Sequence, residues 1–122
     1  MIASFAAGFG VNAVGPKERQ GDRRTPEGSY VLDYKNPNSA FYRSIHISYP
    51  GPADRARARR GGYNPGGDIM IHGQPGDPRL VRAIARWPNP DWTDGCISLS
   101  NTDMKRLWEL VTVLPIPIEI TP

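Results

Sequence analysis

Apolar and polar residues alternate along several short segments of the chain, a pattern typical of half-buried β-strands. The clearest case is Arg43–Tyr49, where two isoleucines and a tyrosine alternate with two serines and a histidine. Pro117 places the last predicted strand at a sheet edge, since proline cannot donate to a ladder. The predicted strands are Ile2–Ala7, Ser29–Tyr34, Arg43–Tyr49, Asp68–His72 and Leu114–Thr121, with a short apolar segment at Gly95–Leu99. The almost wholly apolar segment Asp68–His72 is typical of a central strand.

Helical spacing of apolar residues is clearest near the end of the chain. Met104, Leu107, Trp108 and Val111 recur at i, i+3, i+4 and i+7, which predicts an amphipathic helix, with Asn101 as its N-cap. A second helix is predicted to begin after the cap Asp77 and to end before Pro88. A short helical turn is predicted over residues 54–60. The pattern therefore predicts a mainly β protein with two or three short helices.

Composition supports one domain built from short segments. The chain has 122 residues, which favours a single domain over 1–122, and its 13 glycines and 13 prolines favour many turns. One such turn is predicted at Asn36–Ser39. The net charge of +3 suits an anionic partner. However, no nucleic-acid-binding motif is present. We therefore interpret the arginine cluster at positions 55, 57, 59 and 60 as a solvated face or as a surface that attracts an anionic polymer.

Several classes of protein and site are disfavoured. No apolar run approaches the ~20 residues that cross a bilayer, and the short apolar start lacks the basic region of a signal peptide. A single cysteine excludes an intramolecular disulfide. A metal site would need His46, His72 and Cys96, which contain no closely spaced ligand pair. We expect no cofactor.

The residues with the clearest chemical potential are Cys96 and His72. His72 ends a predicted buried strand, and Gly95 before Cys96 would let the backbone turn sharply. A cysteine thiolate is a strong nucleophile when a histidine removes its proton, and amides at Gly95 and Cys96 could stabilise an oxyanion. A lone cysteine is more often a small buried residue, and a lone histidine is often structural. The residues alone therefore leave a catalytic pair and two structural residues as open alternatives.

The segments around this pair resemble a known family. Gly67–Gly73 (GDIMIHG) followed by residues 92–97 (WTDGCI) is similar to the signature of L,D-transpeptidase catalytic domains of the YkuD/ErfK family. The Thr-Asp-Gly-Cys motif is closest to the YafK-like branch. Segments 15–28 and 45–50 match the family in the same order. The resemblance implies a β-sandwich or barrel-like domain. Because the family usually has one or two strands before the segment that matches 2–10, it also implies a domain without its first strands.

The resemblance also implies roles for the site residues. Cys96 attacks the carbonyl at the L-centre of the stem-peptide diamino acid, and His72 accepts the thiol proton. The amides of Gly95 and Cys96 form the oxyanion hole, and the carbonyl of Gly73 orients His72. An amine resolves the thioacyl enzyme in transpeptidation, and water resolves it in a hydrolytic relative. A non-catalytic wall-binding module of the same fold is a further alternative.

Substrate contacts and partners follow from the same resemblance. The implied substrate-binding residues are Tyr49, Trp92, Thr93, Asp94 and Ser98. Many members have a basic residue at the positions of Asp94 and Ser98, and an ionised Asp94 would raise the pKa of the Cys96 thiol. The implied partners are peptidoglycan stem peptides, with carbapenem-type lactams as covalent inhibitors. The implied location is the cell envelope, either periplasm or cell wall.

Overall fold

A single five-stranded sheet organises the protein, seen in a computed structural model that describes residues 3–122. The strands are β1 (Gly28–Ser39), β2 (Tyr42–Ile47), β3 (Met70–His72), β4 (Ile97–Ser98) and β5 (Ile116–Ile120), in the order β4-β3-β2-β1-β5. The helices are α1 (Pro52–Gly61), α2 (Pro78–Ala85) and α3 (Asn101–Leu110). All strand pairs are antiparallel except β3 with β4, which is parallel. The predicted mainly β architecture with short helices is confirmed.

The alternation along the central strands separates a core face from a polar face. Ile45 and Ile47 are fully buried, and Ile71 pairs with Ile45 on one side and Ile97 on the other. Burying each such side chain contributes about 1.5–3 kcal/mol. A slip of one residue would turn these isoleucines out of the core, so the register is strongly specified. The intervening positions of the same strands, including His72, are thereby directed to the opposite face.

The hairpin between β1 and β2 differs from its prediction. The turn predicted at Asn36–Ser39 is wrong, because β1 continues to Ser39 and the chain turns at Ala40 and Phe41. The pairing with β2 shifts register between Asn36 and Ser39. Such an irregularity lets a strand include Pro37, which has no N–H for the ladder. Phe41 of this turn contributes to the site described below.

The segment before β1 also differs. The strand predicted at Ile2–Ala7 is wrong for residues 3–7, which form no strand, and residue 2 lies outside the described residues. Gly8 and Gly10 instead make isolated bridges to Ser98 and Thr93. A Cβ atom at Gly8 would lie 2.0 Å from the carbonyl oxygen of Pro90. Glycine therefore permits a close crossing over the loop that leads to β4.

The helix caps show one prediction confirmed and one corrected. The side chain of Asp77 accepts the N–H of Arg79 at 2.9 Å and caps α2 as predicted. The cap of α3 is Ser100, whose Oγ accepts the N–H of Asp103 at 3.1 Å, and not Asn101. Asn101 Oδ1 instead accepts the N–H of Gln74 at 2.8 Å. Asn101 therefore fixes the segment that leaves β3 immediately after His72.

Candidate active site around Cys96 and His72

Cys96 and His72 line one cleft with a volume of about 420 Å³. The parallel register of β3 and β4 pairs Ile71 with Ile97, so the residues on either side of these two isoleucines lie on the face opposite the core. The N–H of Met70 donates to Cys96 Sγ at 3.4 Å, which ties the cysteine to the adjacent strand. Residues 24 positions apart in sequence are therefore brought to one surface by a single strand pairing.

His72 is held in an orientation and tautomer suited to a base. Its Nδ1 lies 2.7 Å from the carbonyl oxygen of Gly73. Because a carbonyl only accepts, Nδ1 carries the hydrogen and Nε2 keeps its lone pair. The ring is 4% exposed and lies 4.6 Å from the Phe41 ring and 5.8 Å from Trp92, between centroids. This burial lowers the pKa of His72, and the bond to Gly73 only partly opposes it, so the neutral form dominates at neutral pH.

The Cys96 thiol is protonated at rest. Burial raises its pKa, and the negative charges of Asp68 and Asp94 add to that effect. The amide of Met70 and the charge of Lys17 act in the opposite direction without cancelling it. Cys96 Sγ also lies 3.5 Å from the carbonyl oxygen of Asp68, which accepts its hydrogen. The site therefore contains a neutral thiol and a neutral imidazole, and attack on a substrate requires removal of the thiol proton.

The loop before Cys96 is shaped by Thr93 and Gly95. The buried Thr93 hydroxyl donates to the carbonyl of Cys96 at 2.6 Å and accepts the N–H of Gly95 at 3.2 Å. Gly95 has a φ of +137°, and a Cβ atom there would lie 2.6 Å from the carbonyl oxygen of Arg24. Both observations require glycine. The bond to Thr93 also occupies the Gly95 amide, one of the two donors expected for an oxyanion.

Replacing Thr93 with valine tests whether its hydroxyl fixes the conformation of the loop before Cys96. The change removes a hydroxyl that bonds twice to the buried turn and leaves the Cys96 carbonyl unpaired, which costs about 1–3 kcal/mol. We expect the apparent melting temperature to fall and the rate of Cys96 alkylation by iodoacetamide to change, because the thiol loses its fixed position. Thr93→Ser keeps the hydroxyl and should behave like the wild type. Equal behaviour of the valine and serine variants would contradict the role of the hydroxyl.

The five residues expected to bind substrate are divided by the structure. Trp92, Thr93 and Asp94 line the cleft, whereas Tyr49 and Ser98 do not. Tyr49 follows Ile45 and Ile47 onto the core face, is 2% exposed and donates to the carbonyl of Pro65 at 2.8 Å. Ser98 is covered by Gly8, whose backbone it bonds in both directions. The structure therefore places neither Tyr49 nor Ser98 in the lining of this cleft, unlike the other three residues.

Sequence reasoning missed seven of the residues that line the cleft, and among these Arg23, Phe41 and Asp68 carry charge or an aromatic ring. Arg23 Nε donates to Asp94 Oδ1 at 2.9 Å. Arg23 and Asp68 have φ values of +58° and +54°, and Tyr42, next to Phe41, has +74°. Such values cost a non-glycine residue roughly 1–2 kcal/mol. They persist only where the surroundings impose them, commonly at functional sites. Nothing in a single sequence signals them.

The loop that carries Arg23 is braced by a buried ion pair. Lys17 Nζ lies 2.9 Å from Asp22 Oδ1, and the lysine side chain is 4% exposed. Burial alone would raise the pKa of Asp22, but three backbone N–H groups and Lys17 outweigh it and lower the pKa. The Asp22 carboxylate therefore stays ionised, and its bonds to Lys17 and to the backbone amides fix the conformation of the loop. The Lys17–Asp22 pair is the sequence feature that could have indicated an ordered loop here.

No metal centre forms from the residues considered in the sequence. His46 Nδ1 lies 2.6 Å from Asp33 Oδ1, and its ring stacks on Tyr34 at 4.5 Å between centroids. Within residues 3–122, no group of three His, Cys, Asp or Glu side chains is placed to hold a metal ion. No helix in the same part of the chain has the length and apolar character to cross a membrane.

Comparison with known proteins places this chain in a family. The profile of the YkuD L,D-transpeptidase catalytic domain matches residues 3–120. YafK of Escherichia coli strain K12, whose assignment as an L,D-transpeptidase is itself provisional, is 32% identical over 101 residues, which are 81% of this chain. The match covers 32% of YafK, so the chain spans about a third of that relative's length.

Solved structures of similar fold agree with this family assignment. The helical cell shape determining protein Pgp2 from Campylobacter jejuni superposes with a TM-score of 0.69 at 27% identity, over 93% of this chain and 36% of Pgp2. An L,D-transpeptidase from Mycobacterium smegmatis superposes with a TM-score of 0.55 at 15% identity, over 99% of this chain and 49% of that protein, a likeness that concerns the fold alone. The fold and the family profile define a YkuD-type domain. The chain belongs to the YkuD family of L,D-transpeptidase catalytic domains, as its motifs predict.

Proposed function

We propose that this domain is a cysteine acyltransferase that acts on peptidoglycan stem peptides. The observation that carries the proposal is the shared cleft, in which the Cys96 thiol faces the same space as a histidine whose Nε2 is free to accept a proton. The neutral state of both groups suits a mechanism in which His72 acts as a base during attack. Membership of the YkuD family supports the same chemistry.

The reaction follows from these two groups. His72 Nε2 takes the thiol proton while Cys96 Sγ bonds to the carbonyl carbon at the L-centre of the stem-peptide diamino acid. The tetrahedral oxyanion accepts the Cys96 N–H, and also the Gly95 N–H once that amide leaves Thr93. Collapse breaks the C–N bond, and the imidazolium gives its proton to the leaving amine. An amine then attacks the thioester through the same base, which restores the thiol and completes a transpeptide bond.

Substrate class and location are part of the proposal. Phe41 and Trp92, whose ring centroids lie 6.2 Å apart, supply an apolar wall for a peptide beside His72. Pgp2 is a helical cell shape determining protein, and a role in cell shape is compatible with action on the wall. We therefore place the domain in the cell envelope and expect carbapenem-type lactams to acylate Cys96. Water in place of the acceptor amine gives the hydrolytic alternative through the same thioester.

Incubation with a defined muropeptide that carries a tetrapeptide stem tests the proposal, with products analysed by mass spectrometry. A cross-linked dimer is the expected product of transpeptidation. A tripeptide-bearing product alone assigns the hydrolytic alternative. If folded protein with a free thiol gives neither product, the proposed activity is wrong, and the wall-binding alternative is tested by sedimentation with purified peptidoglycan.

A further inference from the structure

Arg23 brings a positive charge to the cleft that contains Cys96 and His72. Among the described residues that line this cleft, it is the single lysine or arginine. It pairs with Asp94 through Nε at 2.9 Å, and the two side chains are 49% and 88% exposed. A guanidinium has five N–H donors. The pair with Asp94 therefore leaves donors and accessible surface for a second anion.

The position of this charge is fixed by the backbone. Arg23 has a φ of +58°, and its carbonyl accepts the N–H of Asn12 at 2.9 Å. A Cβ atom at Gly10 would lie 2.4 Å from the same carbonyl oxygen, so the neighbouring segment packs directly against it. The adjacent Asp22 is held by Lys17 and by backbone amides. Arg23 is therefore presented to the cleft from a rigid loop despite its exposed side chain.

Arg23 also lies where two grooves meet. A second groove of about 510 Å³ is lined in part by polar residues, including Lys17 and Gln20. It shares Arg23, Asp68, Asp94 and Cys96 with the first cleft. An anion bound by Arg23 therefore shares both grooves with the thiol.

We propose that Arg23 binds a carboxylate of the acyl donor and that Asp94 is the internal anion that this carboxylate displaces. The inference rests on the proposed function and names the substrate charge that the site selects. Arginine binds carboxylates through two parallel hydrogen bonds. An exposed ion pair contributes little to stability, so its exchange for a substrate carboxylate has little cost. Asp94 then acts as a competitor that weakens the binding of the substrate.

The rate of alkylation of Cys96 tests whether Arg23 binds a carboxylate, and the test needs no turnover of a substrate. Iodoacetate and iodoacetamide differ in one carboxylate, and Cys96 is the single cysteine of the sequence. The ratio of their second-order rate constants measures the attraction of a carboxylate to the thiol. We expect Arg23→Gln to lower this ratio about tenfold, the factor given by 1.4 kcal/mol, and Arg23→Lys to retain part of it. Asp94→Asn should raise the ratio.

The matched control is Arg19→Gln. Arg19 is an exposed arginine of the same loop, and its guanidinium lies over the Tyr63 ring at 4.3 Å. It does not line the cleft of Cys96 and His72, so its loss should leave the ratio at the wild-type value. An unchanged ratio in Arg23→Gln, or equal changes in Arg19→Gln and Arg23→Gln, overturns the inference.

Turnover gives the second measurement. Two acyl donors are compared that differ only in whether the carboxylate next to the scissile bond is free or amidated. We expect Arg23→Gln to raise KM for the free acid about tenfold and to leave the amidated donor and kcat unchanged. Equal loss on both donors overturns the inference. If the wild type turns over neither donor, the proposed function fails, and the alkylation ratio still decides the role of Arg23.

Discussion

Replacing Cys96 with alanine is expected to abolish formation of both the cross-linked and the hydrolysed product. The sulfur forms the covalent bond in the proposed mechanism, so loss of the nucleophile should reduce turnover by at least about 10³-fold. The fold should survive, because the hydrogen bonds of Sγ within residues 3–122 are two weak ones, with the Met70 N–H at 3.4 Å and the Asp68 carbonyl at 3.5 Å. Turnover is measured on muropeptides, and folding by circular dichroism and thermal unfolding.

Acylation by a carbapenem gives an independent check of the same residue. With one thiol in the sequence, an adduct in the intact mass of the wild type that is missing in Cys96→Ala assigns the site without digestion. Cys96→Ser keeps a polar atom with weaker nucleophilicity and serves as the matched variant. Product formation by folded Cys96→Ala at the wild-type rate would exclude Cys96 as the nucleophile.

The second large effect is expected from His72→Asn. An asparagine side chain can donate to the Gly73 carbonyl, as Nδ1 does at 2.7 Å, but it cannot accept the thiol proton. Loss of a positioned general base lowers kcat/KM by typically about 10²–10⁴-fold. Because the bond to Gly73 is kept, we expect a small change in stability together with a large loss of rate. A variant that retains wild-type kcat/KM would contradict the proposed role.

The pH dependence separates a base from a structural histidine. Burial lowers the pKa of His72, so the wild type should keep its activity below the ordinary histidine value of about 6.5 and lose it only in more acidic solution. Burial raises the pKa of the Cys96 thiol, so the active neutral pair should persist above about 8.5. In His72→Asn the acid limb caused by protonation of His72 should disappear, and the remaining rate should instead rise at alkaline pH, where the thiol ionises. The same acid limb in both proteins would assign it to another group.

Local patterns were sufficient for much of the fold. The alternation over Arg43–Tyr49 predicts β2 and its core face, because side chains in a strand alternate with a period of two. The cap at Asp77 and the edge position of β5 follow equally from local chemistry. Two of the wrong predictions, at residues 3–7 and at Asn36–Ser39, concern segments whose conformation depends on contacts with Ser98, Thr93 and β2.

The sequence by itself determined the YkuD resemblance and singled out Cys96 and His72, because ordered motifs with glycine, histidine and cysteine are visible in one dimension. Only the tertiary structure decided what surrounds them. It places Tyr49 and Ser98 away from the cleft and brings Arg23 to Asp94 across 71 positions of sequence. Strand pairing and the left-handed backbone at Arg23 and Asp68 produce that arrangement. Both arise from long-range packing, which leaves no periodic or local signal in the residues themselves.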